Sequence, residues 1–183
     1  MALTPSSMLP LGTVLPEFEL LDTHKGAAFS SASLSGKLAL VGFICNHCPY
    51  VLHIVEQLAK ICADFQAQDV DVVMISSNSP KSHPQDGPKQ MATFAQENGF
   101  TFLYCFDESQ EVAKAFKAEC TPEFYLFDGD RKLMYRGQFD SSRPGQQSPV
   151  TGDDLILAVE LGLQGKILDP QKPSVGCNIK WAG

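Results

Sequence analysis

Cys45 and Cys48 stand three residues apart in Gly42-Phe43-Ile44-Cys45-Asn46-His47-Cys48-Pro49, and no other two of the six cysteines lie so close in sequence. Thiols at this spacing at a helix start face each other across one turn, among backbone N–H groups that lack helical partners and at the positive end of the helix dipole. That setting favours thiolate over thiol, the form that attacks disulfides and peroxides or binds soft metals. Residue order makes Cys45 the expected nucleophile, nearest the exposed end of the helix. Cys48, one turn in and more shielded, is expected to resolve the mixed disulfide. His47, between them, offers a donor to a thiolate.

The remaining thiols and imidazoles take lesser roles. Cys120 directly precedes Thr121-Pro122 and Cys177 lies in the tail, so both are candidates for additional thiols at the site, while Cys62 and Cys105 fall in apolar runs and are expected in the core. Two thiolates with His47, His53 or His83 would also suit Cu(I) or Zn(II), which makes a soft-metal carrier the rival outside catalysis. Arg136 is expected to be a solvated strand-end residue, with steering of an anionic or peroxide substrate as the alternative.

The elements around the pair follow from periodicity. Lys37 to Phe43 is apolar at nearly every residue, as in a strand covered on both faces. From Cys45, apolar residues at Tyr50, Val51, Ile54, Val55, Leu58, Ile61, Cys62 and Phe65 predict a helix to about Gln66, with Pro49 in its first turn. Val70 to Ser76 is a second, β-branched strand, and a strand-helix-strand unit of this length is right-handed and parallel. The pair therefore falls at the carboxyl end of a sheet, where open α/β sheets place their sites. Residues 77–87 leave the same edge and form its expected rim.

Farther along, the pattern predicts a helix over 88–97, a strand over 100–106 and a short helix over 109–116 capped by Ser109. It then predicts a hairpin of 124–127 with 133–136, and a last helix over 153–163 capped by Thr151. Upstream, 18–21 and 27–30 read as a β-hairpin, residues 1–16 as an irregular arm and the segment beyond 165 as an extended tail.

At 183 residues, 44% hydrophobic and 19% charged, the chain is expected to form one domain spanning 1–183 with its own core. A net charge of −7 argues against general binding to nucleic acid or anionic membrane. No secretory signal or membrane-spanning run is evident, so a cytoplasmic protein is expected.

The order of strand, C-x-x-C, helix, parallel strand, Thr-Pro, hairpin and closing helix resembles the thioredoxin fold over roughly residues 35–165, in the redoxin (AhpC/TSA-like) branch that includes the peroxiredoxins. Cys45-Asn46-His47-Cys48-Pro49-Tyr50-Val51, Cys120-Thr121-Pro122, Tyr135-Arg136-Gly137 and Gly176-Cys177-Asn178-Ile179-Lys180-Trp181 are similar to a bacterial peroxiredoxin-like group. The resemblance implies a thioredoxin-like α/β fold, a central mixed sheet flanked by helices, with an N-terminal hairpin extension and a C-terminal arm. It implies a cis Pro122 opposite the pair, presenting backbone to an incoming peptide or thiol. Two departures from the peroxiredoxin pattern matter: Cys45 occupies the position of the Thr that precedes the peroxidatic Cys-Pro, and Thr121-Pro122 stands near where an Arg is expected.

Sequence and resemblance together predict a thiol-disulfide oxidoreductase using Cys45, Cys48, His47 and Pro122, with no organic cofactor and no resident metal. The enzyme alternative is a peroxiredoxin-like thiol peroxidase with Cys48 attacking peroxide and Cys45 or Cys177 resolving. Expected partners are protein or small-molecule disulfides or peroxides and a thiol reductant, for a monomer or homodimer.

Overall fold

The computed structural model describes residues 3–182. In chain order these form β1 (Leu3–Pro5), β2 (Glu19–Asp22), β3 (Ala27–Ser30), β4 (Leu38–Phe43), α1 (Pro49–Ala67), β5 (Val70–Ser76), α2 (Pro88–Glu97), β6 (Leu103–Phe106), α3 (Glu111–Ala115), β7 (Cys120–Thr121), β8 (Glu123–Phe127), β9 (Leu133–Gly137), α4 (Asp153–Leu163) and β10 (Val175–Asn178).

The main sheet runs β3-β2-β6-β5-β4-β8-β9, with β4, β5 and β6 parallel and the outer pairs antiparallel. The fully apolar β4 lies near its middle because both of its faces are covered. Leu38 and Leu40 pack with Val51, Ile54 and Leu58 of α1 and with Leu155 and Val159 of α4, whereas Ala39, Val41 and Phe43 meet Phe18, Phe116 and Tyr125 on the opposite face. The 3.6-residue stripe of α1 and the two-residue alternation of β4 interlock at this layer. The hairpin β2–β3 extends the sheet, pairing Leu21 with Phe106.

The helix after the cysteines begins at Pro49, later than the periodicity indicates. Proline suits the first helical position, but it pushes the residue before it out of the helical region. Cys48 accordingly sits extended at φ −68°, ψ 122°, as the N-cap of α1. Cys45 lies in the loop ahead of the helix, so the expected order of an exposed Cys45 and a shielded Cys48 one turn in does not hold. Both sulfur-bearing residues have 0% exposure.

The arm expected to be irregular contributes a strand, and the extended tail pairs into a small sheet with it. β10 pairs antiparallel with both β1 and β7, with Cys177 facing Leu3 on one side and Thr121 on the other. The caps shift too. Gln110, at φ 63°, caps α3 in place of Ser109, and Gly152, at φ 68°, caps α4 in place of Thr151. Gly152 is required twice, by its positive φ and because a Cβ there would come within 2.5 Å of the Ile61 side chain. Among the described residues, no helix is long and apolar enough to cross a membrane.

Candidate active site

The pair hangs between the end of β4 and the start of α1. Ile44 still donates its N–H to the Ile75 carbonyl at 3.0 Å, so the loop leaves the sheet only at Cys45. Opposite it, Thr121 and Pro122 join β7 to β8 through a cis peptide bond, the isomer implied by the resemblance. Cys45 Sγ lies 3.6 Å from Thr121 Oγ1, and as a thiol Cys48 donates to the Thr121 carbonyl at 3.3 Å. Pro122 is thereby placed beside both thiols.

All six cysteines are buried thiols. Three of them, Cys45, Cys48 and Cys177, share one buried cluster, in which Cys45 and Cys177 favour the Cys48 thiolate. These contacts set the acidities. The Cys45 thiol foremost, then the Thr121 hydroxyl, Cys177 and the first-turn Val51 amide, holds Cys48 down at about 5, against a burial cost that acts the other way. Cys45 moves in the opposite direction, well above the ordinary thiol range, chiefly because it is the donor to Cys48 and also because it is buried near Asp86. These directions favour Cys48, the N-cap of α1, over Cys45 as the bearer of the pair's negative charge. Burial, then the hydrogen bond to Cys48, pushes Cys177 up to about 12.

His47 does not reach a sulfur as its principal partner. Its Nδ1 lies 2.6 Å from Asp86 Oδ2, and its ring stacks on His83 with centroids 4.6 Å apart. Asp86 is fully buried and also accepts from the Asn46 amide at 2.8 Å and from Asn78 Nδ2 at 2.9 Å. The rim segment thus holds the cysteine loop through a carboxylate whose position in residues 77–87 was the only sequence clue to it. Asn46 adds two side-chain bonds, to the Gln85 carbonyl at 2.7 Å and from Tyr104 Oη at 2.9 Å. Thr121 is likewise a site residue that its neighbour Pro122 overshadows in the sequence.

The other candidates separate clearly. Cys120 is buried and its thiol is pushed up, chiefly by burial; among the described contacts it is not bonded to the pair. Cys62 and Cys105 are core residues, as expected, with burial raising both, Cys105 to about 12. His53 bonds to Ser142 at 3.0 Å. Arg136 is not solvated: it is fully buried, with Nη2 2.8 Å from Glu123 Oε1 and 2.7 Å from the Lys117 carbonyl. For a metal, the described residues bring together Cys45, His47 and Asp86, with ligand atoms within 4.8 Å of one another. Neither Cys48, His53 nor His83 belongs to that group, and the Asp86 oxygens already accept the donors named above.

A thiol loop at the carboxyl end of a parallel strand, a helix opening on a cysteine and a Thr-Pro turn facing both sulfurs define a thioredoxin-like redoxin. The chain belongs to the AhpC/TSA family, whose model matches residues 11–136. It is similar to a conserved protein of Geobacillus kaustophilus at 42% identity and TM-score 0.97, covering 100% of this chain and 97% of that one. A hypothetical protein of Sinorhizobium meliloti 1021 is 43% identical with TM-score 0.95, covering 98% and 99%. The fold extends to a secreted Mycobacterium tuberculosis disulfide oxidoreductase (20% identity, TM-score 0.59, 78% of this chain and 94% of that) and to the peroxidoxin BcpB of the same organism (18%, 0.63, 86% and 98%). A search of curated proteins gave no match. Family membership supports a redox role for the site.

Proposed function

We propose that the protein is a thiol-disulfide oxidoreductase that cycles Cys45 and Cys48 between dithiol and disulfide, with Cys48 as the attacking thiolate. The observation that carries this reading is the placement of Cys48 at the helix N-cap, against Thr121 and in one buried cluster with Cys45 and Cys177, where its thiolate is favoured. This reverses the roles that residue order assigns. The Cys48 thiolate attacks one sulfur of a substrate disulfide, the substrate S–S bond breaks, and a substrate thiolate leaves with the electron pair. Cys45 then gives up its proton to the departing thiolate and attacks Cys48, forming the Cys45–Cys48 bond and breaking the mixed disulfide, whose substrate sulfur leaves as a thiolate with the electron pair and is protonated by solvent. Two electrons pass from the protein to the substrate, and a thiol reductant returns them.

Because neither sulfur is exposed, a small disulfide fits this site better than the disulfide of a folded protein. The same burial favours a second reading, reduction of a small peroxide at Cys48. Against it stands the position of Cys45 where a peroxiredoxin has Thr, and Arg136 is held by Glu123 in place of being offered to a substrate. Without donors aimed at the charge of the departing oxygen, a thiolate gains little in O–O cleavage.

The test follows reduction of glutathione disulfide and stopped-flow oxidation by hydrogen peroxide in the wild type, Cys45→Ser and Cys48→Ser. The expected result is loss of adduct formation in Cys48→Ser, oxidation of Cys45→Ser that is confined to a disulfide at Cys48, and slow peroxide oxidation. A mixed disulfide on Cys45 in the Cys48→Ser protein would return the nucleophile's role to Cys45. Fast, saturating peroxide oxidation that Cys48→Ser abolishes would establish the peroxidase instead.

A further inference from the structure

The C-terminal strand occupies the place beside Thr121 and Pro122 where the resemblance puts an incoming peptide or thiol. β10 pairs antiparallel with β7, setting Cys177 opposite Thr121 and Asn178 opposite Cys120, and it is held from the other side by β1. The approach is close. A Cβ on Gly176 would lie 2.0 Å from the Thr121 carbonyl oxygen, so only glycine lets the strand sit here. Cys177 is delivered into the buried cluster that holds Cys45 and Cys48, opposite the Thr121 whose carbonyl accepts the Cys48 thiol, on a strand whose next residues are fixed by Lys180 N–H to Asn78 Oδ1 at 2.8 Å and Ser79 N–H to the Lys180 carbonyl at 3.1 Å. Cys48 thus shares its buried cluster with two thiols brought from separate parts of the chain.

We propose that Cys177 is a third redox thiol, exchanging with the pair through Cys48 as a tethered substitute for an external substrate. This rests on the reading of Cys45 and Cys48 as the redox couple. In the oxidised protein the Cys177 thiol loses its proton and its sulfur attacks Cys48. A Cys48–Cys177 bond forms, the Cys45–Cys48 bond breaks, and Cys45 leaves with the electron pair and takes up the proton. One disulfide is consumed and one is made, so the step needs no further oxidant. It stores the oxidised state on the C-terminal strand and returns Cys45 as a thiol facing Thr121. Thiols held in contact exchange at an effective concentration far above that of a dilute external thiol.

Mapping the disulfides tests this. Trypsin leaves Cys45 and Cys48 together on residues 38–60 and Cys177 on residues 167–180, so a Cys45–Cys48 bond closes a loop within one peptide while Cys48–Cys177 joins two. Protein is oxidised with glutathione disulfide, blocked with N-ethylmaleimide in acid, digested without reduction and analysed by mass spectrometry. The joined peptide is expected alongside the looped one in the wild type, as the dominant oxidised form in Cys45→Ser, and not at all in Cys177→Ser. Gly176→Ala retains every thiol but displaces the strand, so the joined peptide should fall several-fold while the looped peptide forms as in the wild type. Cys45→Ser protein that keeps Cys177 maleimide-blocked, with glutathione on Cys48, overturns the proposal. Failure of the underlying couple reads differently, as absence of the looped peptide in Cys177→Ser.

Discussion

At Cys48 acidity is a matter of who donates to whom. Neighbouring hydrogen-bonding groups, the Cys45 thiol foremost, favour the Cys48 thiolate against the cost of burial. Since the shift is downward to about 5, the thiolate is fully formed at neutral pH and is lost as the pH falls through that value. Alkylation of Cys48 by iodoacetamide, followed by peptide mass spectrometry, should therefore be flat across neutral pH and half-maximal near pH 5. Cys45→Ala removes the largest donor and should move the midpoint up. A wild-type midpoint in the ordinary thiol range would refute the donor account. Asp86 is the second residue whose role is local. Its carboxylate accepts from Asn46, His47 and Asn78, and an asparagine there turns an N–H group toward one of those donors. Asp86→Asn should lower stability to urea by about 1–3 kcal/mol, the usual cost of leaving buried donors unsatisfied. It should also slow thiol exchange by loosening the cysteine loop.

The elements differ in how openly the sequence declares them. β4, α1 and β5 announce themselves because each buries a long apolar face at a fixed period, and that unit alone puts the cysteines at the sheet edge. The start of α1 was legible too, in the rule that the residue before proline avoids the helix, but the amphipathic period runs past it and hides the boundary. β1, β7 and β10 are short, and each is defined by a partner distant in sequence, β1 by β10 at the other end of the chain and β7 by the same strand, which local patterning does not register. Asp86 and Thr121 join the site for the same reason, through contacts across the fold. The Glu123–Arg136 pair is a cross-strand feature of this kind, joining the start of β8 to β9 with both side chains at 0% exposure. Glu123→Gln leaves a buried guanidinium without its counter-charge and should cost roughly 3–5 kcal/mol in chemical denaturation, whereas replacing both residues with apolar ones of similar volume should cost much less. Equal losses in the single and double variants would show that the pair matters through packing alone.

Across the whole molecule, the two ends of the described chain meet as β1 pairs with β10, and β10 lies on the strand that carries Thr121, so the terminal strands close over the edge at which the central sheet presents its thiols. The pattern of the sheet interior places the site, and the terminal strands decide what reaches it. Shielding by the chain's own C-terminal strand implies discrimination by size, independent of the chemistry of the substrate. Deleting the residues after Ser174 removes β10 and, with it, the partner of β1 and the backbone bonds that Lys180 makes to Ser79 and Asn78. The truncated protein should melt at a lower temperature, because Ile179 leaves the core and the 77–87 segment loses its anchor. Below that temperature, the diagnostic measurement is the labelling of Cys48 by N-ethylmaleimide against labelling by a polymer-linked maleimide of the same reactivity. Intact protein should react with the small reagent much faster than with the large one, and truncation should bring the two rates together while opening reduction of insulin, whose disulfides sit on peptide chains. Were the bulky reagent to label intact protein as fast as the small one, β10 would not be a cover, and preference for small disulfides would need another cause.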